Sequence, residues 1–416
     1  MKDVTKTLIN FPQASSSDVL NELLKKGAQK LLHQAIEMEI QEYLDKINLN
    51  AGKTLAIRNG YLPERTIQTG IGDIPVKQPR ARLKEEAEAA GISKFESKIL
   101  PPYLRRTKSI EELLPWLYLK GISTGDFGEA LFSLLGKDAP GLSATTITRL
   151  KGVWQEEYEA WMQRSLADKR YVYIWADGIY CNVRLEDARA CLLVIMGSTL
   201  DGTKELITVV AGHRESEMSW EAVLRSLRDR GLETAPELAI GDGALGFWKA
   251  LDKIYPETKR QRCWVHKMAN ILDKLPKSVH PQAKSMLHEI YNAPTKAEAE
   301  KAFKRFLDVF SAKYKAATDC LAKDHDCLLT FYDFPAEHWT HIRTTNPIES
   351  TFATVRLRTA KTKGCGSTLA TVTMVFKLAE SASKKWKRLN GRELLADVID
   401  INWKFVDGVK MESIAA

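Results

Sequence analysis

Residues 171–177, YVYIWAD, form a short apolar run of aromatic and β-branched side chains that ends in a carboxylate. This composition and length suit a buried central strand better than a helix. Gly178 follows the acid directly and allows the backbone to turn, so we expect Asp177 at the end of the strand. Sites on open α/β sheets are built at such strand ends.

A second stretch repeats this design further along the chain. Residues 237–242, ELAIGD, again place an Asp after a short apolar run and before a glycine. Hard divalent cations prefer oxygen ligands, so carboxylates at two strand ends are a first indication of a metal site.

Length and composition are typical of a globular protein. The 416 residues are 44% hydrophobic and 27% charged, enough for two or three domains with a substantial core. No apolar run approaches the roughly 20 residues of a membrane helix, and the N-terminus lacks the features of a signal peptide. We therefore expect a cytoplasmic location without membrane contact. The six cysteines are scattered without a disulfide framework, which favours reduced thiols.

Positive charge is concentrated towards the C-terminus. The chain carries a net charge of +8, yet residues 343–392 alone contain eleven Lys or Arg against two acidic residues, a local charge of +9. Such a concentration is the electrostatic footprint of a polyanion partner. A solvated Lys-rich face would give the same count, so charge alone leaves both explanations open.

The first 165 residues are mainly helical in pattern. Residues 1–90 predict one or two helices followed by a basic hairpin, and residues 91–165 predict three further helices. The last two of these, joined by a turn, resemble a helix-turn-helix that would present Thr145, Thr148 and Arg149 to DNA. Any small bundle of three helices would show the same pattern, so this DNA-binding interpretation stays open.

The following segment alternates between strands and helices. Over residues 166–269 the predicted order is strand, strand, strand, helix, strand, helix, strand, with an Asp-Gly turn in the first hairpin. Because a parallel connection through a helix is nearly always right-handed, the first and fourth strands can lie side by side. Asp177 and Asp242 would then lie at the same end of the sheet. This is the ribonuclease H-like topology, and we predict an α/β catalytic core of that class.

An α-helical insertion and a basic helix complete the predicted core. Residues 270–342 are helical in pattern, residues 343–390 complete the core, and residues 391–416 are a C-terminal tail. Asn346 is the expected cap of the basic helix, and Glu349 falls at its third position. An acid there is favoured by capping and by the helix dipole, so Glu349 taken singly is better explained by capping than by chemistry.

Four motifs together carry a family resemblance. They are ADG at 176–178, GDGALGFWKAL at 241–251, RCWVHK at 262–267 and TTNPIESTFATVRLR at 344–358. In combination they resemble the Mutator-type transposases of bacterial insertion sequences, and the similarity covers most of the chain. The resemblance implies that Asp177, Asp242 and Glu349 form the DDE triad of a ribonuclease H-like catalytic core.

The resemblance also draws attention to residues around the triad. Cys263 and His266 match the family's C-x-x-H element, and Arg356 matches the basic residue one helical face beyond Glu349. Two ligands are too few for structural zinc, so packing or hydrogen bonding of Cys263 and His266 is favoured over metal binding. Arg356 could hold a phosphate or pair with Glu349. Trp264 could stack on a flipped base, although burial is favoured.

The activity that the resemblance implies is DNA transposition. Two Mg²⁺ ions, replaceable by Mn²⁺, would be held by the triad and would assist cleavage at terminal inverted repeats and strand transfer into target DNA. Phosphate contacts are expected from the basic residues of the last core helix, Arg356, Arg358, Lys361 and Lys363. Because two element ends react together, we expect a homodimer or larger assembly on DNA, associated with the bacterial nucleoid.

Two rival functions use many of the same features. A structure-specific nuclease of the same fold would need the acids but not the long N-terminal region. A DNA-binding regulator derived from a transposase would keep that region without needing an intact triad. The presence of both features favours the transposase.

Overall fold

The chain divides into two units, Met1–Ile147 and Thr148–Ala416. The structure, a computed structural model, describes residues 16–89, 91–107, 144–183, 189–243, 245–362 and 367–412.

A long helix, four short strands and a short helix make up the described part of the first unit. In chain order they are α1 (Ser16–Ala51), β1 (Ala56–Tyr61), β2 (Arg65–Thr69), β3 (Gly72–Val76), β4 (Pro79–Leu83) and α2 (Glu85–Ala89). Strands β2 and β3 form the predicted hairpin, and β1 pairs with β4. α1 is a single helix that continues through Gly27, since one glycine costs only about 1 kcal/mol in a helix interior.

One face of α1 is buried against these strands. Ile36 joins a core cluster with Ile67 and Ile74, and Ile40 joins a second cluster with Leu83. Positions four residues apart lie on the same side of a helix, so Ile36 and Ile40 face the strands together.

The second unit is an α/β structure, and α3 (Ala144–Gln163) spans the division between the units. The elements that follow α3 are β5 (Tyr171–Cys181), β6 (Ala190–Thr199), β7 (Lys204–Gly212), α4 (Glu217–Asp229), β8 (Leu238–Gly241), α5 (Leu245–Ile254), β9 (Lys259–Arg262), α6 (Trp264–Leu272), α7 (His280–Tyr291), α8 (Lys296–Phe310), α9 (Lys315–Ala322), α10 (His325–Leu328), α11 (Trp339–Ile342), α12 (Asn346–Thr362), α13 (Thr368–Ser383), α14 (Leu395–Ile399), β10 (Trp403–Val406) and β11 (Val409–Glu412).

Five strands form one mixed sheet in the order β7-β6-β5-β8-β9. β6 is antiparallel to both of its neighbours, whereas β5, β8 and β9 run parallel. The predicted Asp-Gly hairpin is confirmed as β6 and β7, and Gly202 in its turn has φ 78°, a value that glycine adopts readily. The predicted pairing of the first and fourth strands is also confirmed, because β5 lies beside β8.

Helices cover both faces of this sheet. On one face, Ile174 and Ala176 of β5 pack in a core cluster with Trp220 of α4 and Phe247 of α5. On the other face, α12 packs against β5 and β6, and α13 packs against β6 and β7. Successive residues of a strand point to opposite faces, so Asp177 points to the side that carries α12.

The helical segment between α6 and α12 is fixed to the edge strand β9. The side-chain Nε2 of Gln261 donates to the Leu328 carbonyl at 3.1 Å, and its Oε1 accepts from the Phe331 backbone amide at 2.8 Å. The chain after residue 391 contains α14 and a hairpin, β10 with β11. Gly408 in that hairpin donates to the Tyr332 carbonyl at 3.2 Å, so this last segment packs on the helical one. Among the described helices, none has the length and apolar character needed to cross a membrane.

Candidate catalytic site

Asp177 and Asp242 follow a matched pair of residues on neighbouring parallel strands. Ala176 of β5 is opposite Gly241 of β8, and each acid comes next along its own chain. The register therefore places the two acids side by side at one end of β8. Only 6% of Asp177 is exposed, so this carboxyl group is largely removed from solvent.

β5 does not end at Asp177, contrary to the prediction. It continues to Cys181 and stays paired with β6, where Asp177 is opposite Val194. The strand that ends here is β8, so Asp177 lies where β5 extends beyond its parallel neighbour. Gly178 is consequently a strand residue and not a turn residue, because the long β6 supplies hydrogen-bonding partners on the other side.

α12 brings Glu349 to the same region, and it begins one residue earlier than predicted. Asn346 is the first helical residue and not the cap; the Thr345 carbonyl accepts the amide of Glu349 at 3.0 Å. The predicted capping made the Glu349 side chain the acceptor of the Asn346 amide. In the structure this amide donates to Thr344 Oγ1 at 3.4 Å. Glu349 Oε1 instead accepts from Thr345 Oγ1 at 3.3 Å and lies 3.5 Å from His266 Nε2.

The acids and His266 perturb one another. Burial raises the pKa of Asp177 to about 7 and Asp242 adds to the rise, against the opposing effects of His266 and of the Gly178 amide, which donates at 2.8 Å. The hydrogen bond with Cys263 raises the pKa of His266 to about 9 despite burial, and Asp177 and Asp242 add to it. At neutral pH a protonated imidazole therefore lies among the carboxylates.

A fourth carboxylate, Glu215, belongs to this group and was not predicted. A Cβ atom at Gly178 would lie 2.5 Å from Cδ of Glu215, so the missing side chain at position 178 leaves the space that this carboxylate fills. Burial raises the pKa of Glu215, and Asp242 raises it further. The only sequence signal was a glycine inside an otherwise bulky strand, which marks a close approach as readily as a turn.

Cys263 and His266 are connected to Glu349 through Thr345. The Thr345 amide and hydroxyl each lie 3.3 Å from Cys263 Sγ, and the hydroxyl lies 3.4 Å from His266 Nδ1. These contacts agree with the predicted hydrogen-bonding role of the pair. Glu349 is a third potential metal ligand beside this pair, because one ligand atom from each of Cys263, His266 and Glu349 lies within 4.8 Å of the others.

Trp264 is buried and has an internal hydrogen-bond partner. Its side chain is fully enclosed, and Nε1 donates to the Leu328 carbonyl at 2.9 Å. This placement agrees with the favoured explanation, burial of Trp264, and leaves no exposed ring for stacking on a base.

Comparisons with known proteins identify the family. The profile described as "Transposase, Mutator family" matches residues 2–389. The chain belongs to the Mutator family of transposases. It is 53% identical over 287 residues to the transposase for insertion sequence element IS6120 of Mycolicibacterium smegmatis, covering 69% of this chain and 88% of that protein.

Two further relatives extend the comparison. The transposase for insertion sequence element IST2 of Acidithiobacillus ferrooxidans is 51% identical over 288 residues, covering 68% of this chain and 95% of the relative. The transposase for insertion sequence element ISRM5 of Rhizobium meliloti is 25% identical over 393 residues, covering 93% of this chain and 95% of the relative.

Three of the basic residues that were predicted to contact DNA in this Mutator-family chain lie on α12. Arg356 is exposed on α12, with its guanidinium carbon 6.0 Å from the centre of the Phe352 ring. Arg358 and Lys361 belong to the same helix, and Lys363 lies outside the described residues. Arg356 therefore lies on the exposed surface of α12, two turns beyond Glu349.

The helix-turn-helix prediction concerns the start of α3. Thr145 and Thr148 lie in its first two turns and Arg149 is exposed. The two helices predicted before α3 fall in residues 108–143, outside the described residues. Further along α3, the Tyr158 hydroxyl donates to the Val209 carbonyl at 2.9 Å, so this part of the helix packs on β7.

Proposed function

We propose that this chain is a DDE transposase whose ribonuclease H-like core cleaves the ends of an insertion element and joins them to target DNA. The observation that carries the proposal is the register of β5 and β8, which sets Asp177 beside Asp242, with Glu349 supplied by the helix packed on β5. The strand order, with β6 alone reversed, supports the ribonuclease H-like assignment.

The donor set fits Mg²⁺. Asp177, Asp242 and Glu349 offer only carboxylate oxygens, which are the ligands that this hard cation prefers. Asp177 is an acid held in a buried position beside other acids, and a divalent cation would stabilise its ionised form. Mn²⁺ has similar ligand preferences and should replace Mg²⁺.

The proposed reaction consists of two phosphoryl transfers. In the first, a water oxygen attacks the scissile phosphorus and the bond to the 3′ oxygen breaks, which leaves a free 3′-hydroxyl at the element end. In the second, this hydroxyl loses its proton, its oxygen bonds to a target phosphorus, and a target 3′ oxygen leaves. Two bound Mg²⁺ ions would supply stabilisation of the charge on the attacking and leaving oxygens.

The protein's own contribution is to hold the acids in place. Asp177 is fixed by β5 and by the Gly178 amide, and Glu349 is fixed by Thr345 in the first turn of α12. Positioning of this kind avoids reorganisation during the reaction. The exposed Arg356 would contact DNA phosphates on the same side of α12 as Glu349.

Substitution of single acids tests the proposal. We expect Asp242→Asn and Glu349→Gln to lower cleavage and strand transfer by roughly 1000-fold, since metal-assisted charge stabilisation is worth several kcal/mol. Asp201→Asn, in the exposed turn between β6 and β7, is the control and should keep full activity. The assay is strand transfer in vitro with the DNA that flanks the coding sequence. Activity of Glu349→Gln near that of the parent would contradict the triad.

The same assay separates the rival functions. Cleavage without joining would indicate a nuclease, and binding of the ends without cleavage would indicate a regulator.

We also propose that two copies act together, because two element ends must be joined. Leu24, Leu31 and Met38 on α1 are seven residues apart and 48%, 67% and 65% exposed. At 100° per residue they form one stripe on the side of α1 away from Ile40. A heptad stripe of this kind fits a second copy of the same helix.

A further inference from the structure

Three ligand atoms of different chemistry converge where α6 and α12 begin. Cys263 Sγ, a ring nitrogen of His266 and a carboxylate oxygen of Glu349 all lie within 4.8 Å of one another. We propose that these three side chains bind a thiophilic divalent cation, with Zn²⁺ as the natural occupant, at a site that shares only Glu349 with the proposed Mg²⁺ sites of the triad.

The backbone holds these ligands in place before any cation arrives. The Cys263 amide donates to the Gly241 carbonyl at 2.8 Å, and the Trp264 amide donates to the Arg343 carbonyl at 3.0 Å. The start of α6 is therefore fixed both to the end of β8 and to the segment that leads into α12. Preorganised ligands bind a metal with less loss of conformational entropy.

The Thr345 hydroxyl marks the point of convergence. It lies 3.3 Å from Cys263 Sγ, 3.4 Å from His266 Nδ1 and 3.3 Å from Glu349 Oε1. A hydroxyl has one hydrogen and can donate to only one of these acceptors at a time. The sulfur, nitrogen and oxygen atoms of the three side chains therefore surround one hydroxyl, and this convergence is the geometry that a shared cation would use.

The ligand types select against Mg²⁺ and for Zn²⁺. A thiolate and an imidazole suit Zn²⁺, Co²⁺ and Cd²⁺, whereas Mg²⁺ requires oxygen. The side chains of His266 and Glu349 are 33% and 27% exposed, so a fourth position faces solvent, as in zinc sites with three protein ligands.

Occupancy of this site would have a consequence for catalysis, and this part rests on the proposed function. Glu349 belongs both to the proposed triad and to the thiophilic site. A Zn²⁺ ion bound to Cys263 and His266 would hold the Glu349 carboxylate and withdraw it from the Mg²⁺ ions. Zn²⁺ should therefore inhibit Mg²⁺-dependent strand transfer without competing for DNA.

Cobalt binding tests the site without any need for DNA or activity. The metal-free full-length protein is titrated with Co²⁺, whose visible bands report tetrahedral coordination and whose near-ultraviolet charge-transfer band reports a thiolate ligand. We expect one Co²⁺ per chain, displaced by equimolar Zn²⁺. Cys263→Ser should abolish the charge-transfer band. It should also weaken Co²⁺ binding by more than roughly 100-fold, which is the effect of losing a residue that only hydrogen-bonds to a metal ligand. Cys320→Ser, in α9, is the matched control and should keep the band.

Further variants keep the test decisive if Cys263→Ser fails to fold. His266→Asn and Glu349→Gln should each weaken Co²⁺ binding while the circular dichroism spectrum is unchanged. Absence of a charge-transfer band in the parent protein, or its persistence in Cys263→Ser, would overturn the site.

Inhibition of strand transfer by Zn²⁺ is measured separately, with the Cys320→Ser protein as reference. If Co²⁺ binds as expected but Zn²⁺ does not inhibit, the shared use of Glu349 is wrong. A protein that binds Co²⁺ but never cleaves DNA would leave the site intact and refute the proposed function.

Discussion

Asp177→Asn should stabilise the metal-free protein at neutral and alkaline pH. Burial raises the pKa of Asp177 from 3.8 to about 7 in the folded state. The folded protein therefore binds more protons than the unfolded chain between these values, and the free energy of unfolding falls as pH rises from about 4 to about 7. A shift of roughly 3 pKa units corresponds to at most about 4 kcal/mol, because each unit is 1.36 kcal/mol.

The asparagine removes this penalty and keeps the shape of the side chain. We expect the variant to gain up to about 4 kcal/mol over the parent at pH ~8 and almost nothing at pH ~4. His266 acts in the same direction in the parent: its raised pKa gives stability that is complete below 6.5 and is lost as pH rises through about 9. The parent should therefore continue to lose stability above neutral pH.

Urea unfolding with EDTA, followed by tryptophan fluorescence across this pH range, gives the required free energies. Asp201→Asn is the control, because hydrogen bonds with Thr199 and Thr203 lower the pKa of Asp201 to about 2, and its replacement should bring no gain at high pH. Adding Mg²⁺ should stabilise the parent and not the Asp177→Asn protein. The reasoning is refuted if Asp177→Asn is less stable than the parent at pH ~8 in EDTA, or has the same pH dependence.

Three further outcomes are expected. Arg356→Ala should reduce the slope of log affinity for DNA against log salt by about 0.9, whereas Arg225→Ala, on α4 and outside the predicted DNA-contacting residues, should leave the slope unchanged. Leu31→Glu should shift the protein towards monomer in sedimentation velocity, with Ile401→Glu, at an 88% exposed position, as the control. Gly246→Ala would place a Cβ 2.5 Å from the Glu215 carbonyl oxygen and should cost about 1 to 3 kcal/mol, while Gly27→Ala, with nothing within 4 Å, should stabilise α1 by up to about 1 kcal/mol; equal effects would contradict this packing argument.

The sequence was sufficient for features that local patterns control. The Asp-Gly turn of the β6–β7 hairpin follows from two residues that adopt the required backbone angles. α4 is likewise capped by Ser216, whose hydroxyl accepts from the Ser219 amide, and its buried residues recur at helical spacing. The order of strands then brought Asp177 beside Asp242 through the handedness of a single crossover connection.

Features controlled by partners distant in sequence were not predictable in this way. β5 continues past Asp177 because β6 pairs with it there. The residues near position 177 do not indicate this pairing with a later strand. Glu215 takes part in the site because Gly178 leaves space for it, although the two residues are far apart in the chain. The cap of α12 was misplaced by one residue because Thr345 uses its hydroxyl towards Cys263 and Glu349.

The position of Glu349 depends on the two ends of the helical segment and not on its interior. The Trp264 amide of α6 donates to the Arg343 carbonyl, and the Thr345 amide donates to Cys263 Sγ, so the chain leaves and re-enters the core at nearly the same point. Closing a longer loop costs little, since each doubling of length adds only about 0.6 kcal/mol. Many helices can therefore lie between the second Asp and the Glu without moving the carboxylate. The C-x-x-H element contributes to this arrangement directly. Cys263 accepts a hydrogen bond from Thr345, where the chain re-enters the core, and His266 lies beside the carboxylate of Glu349.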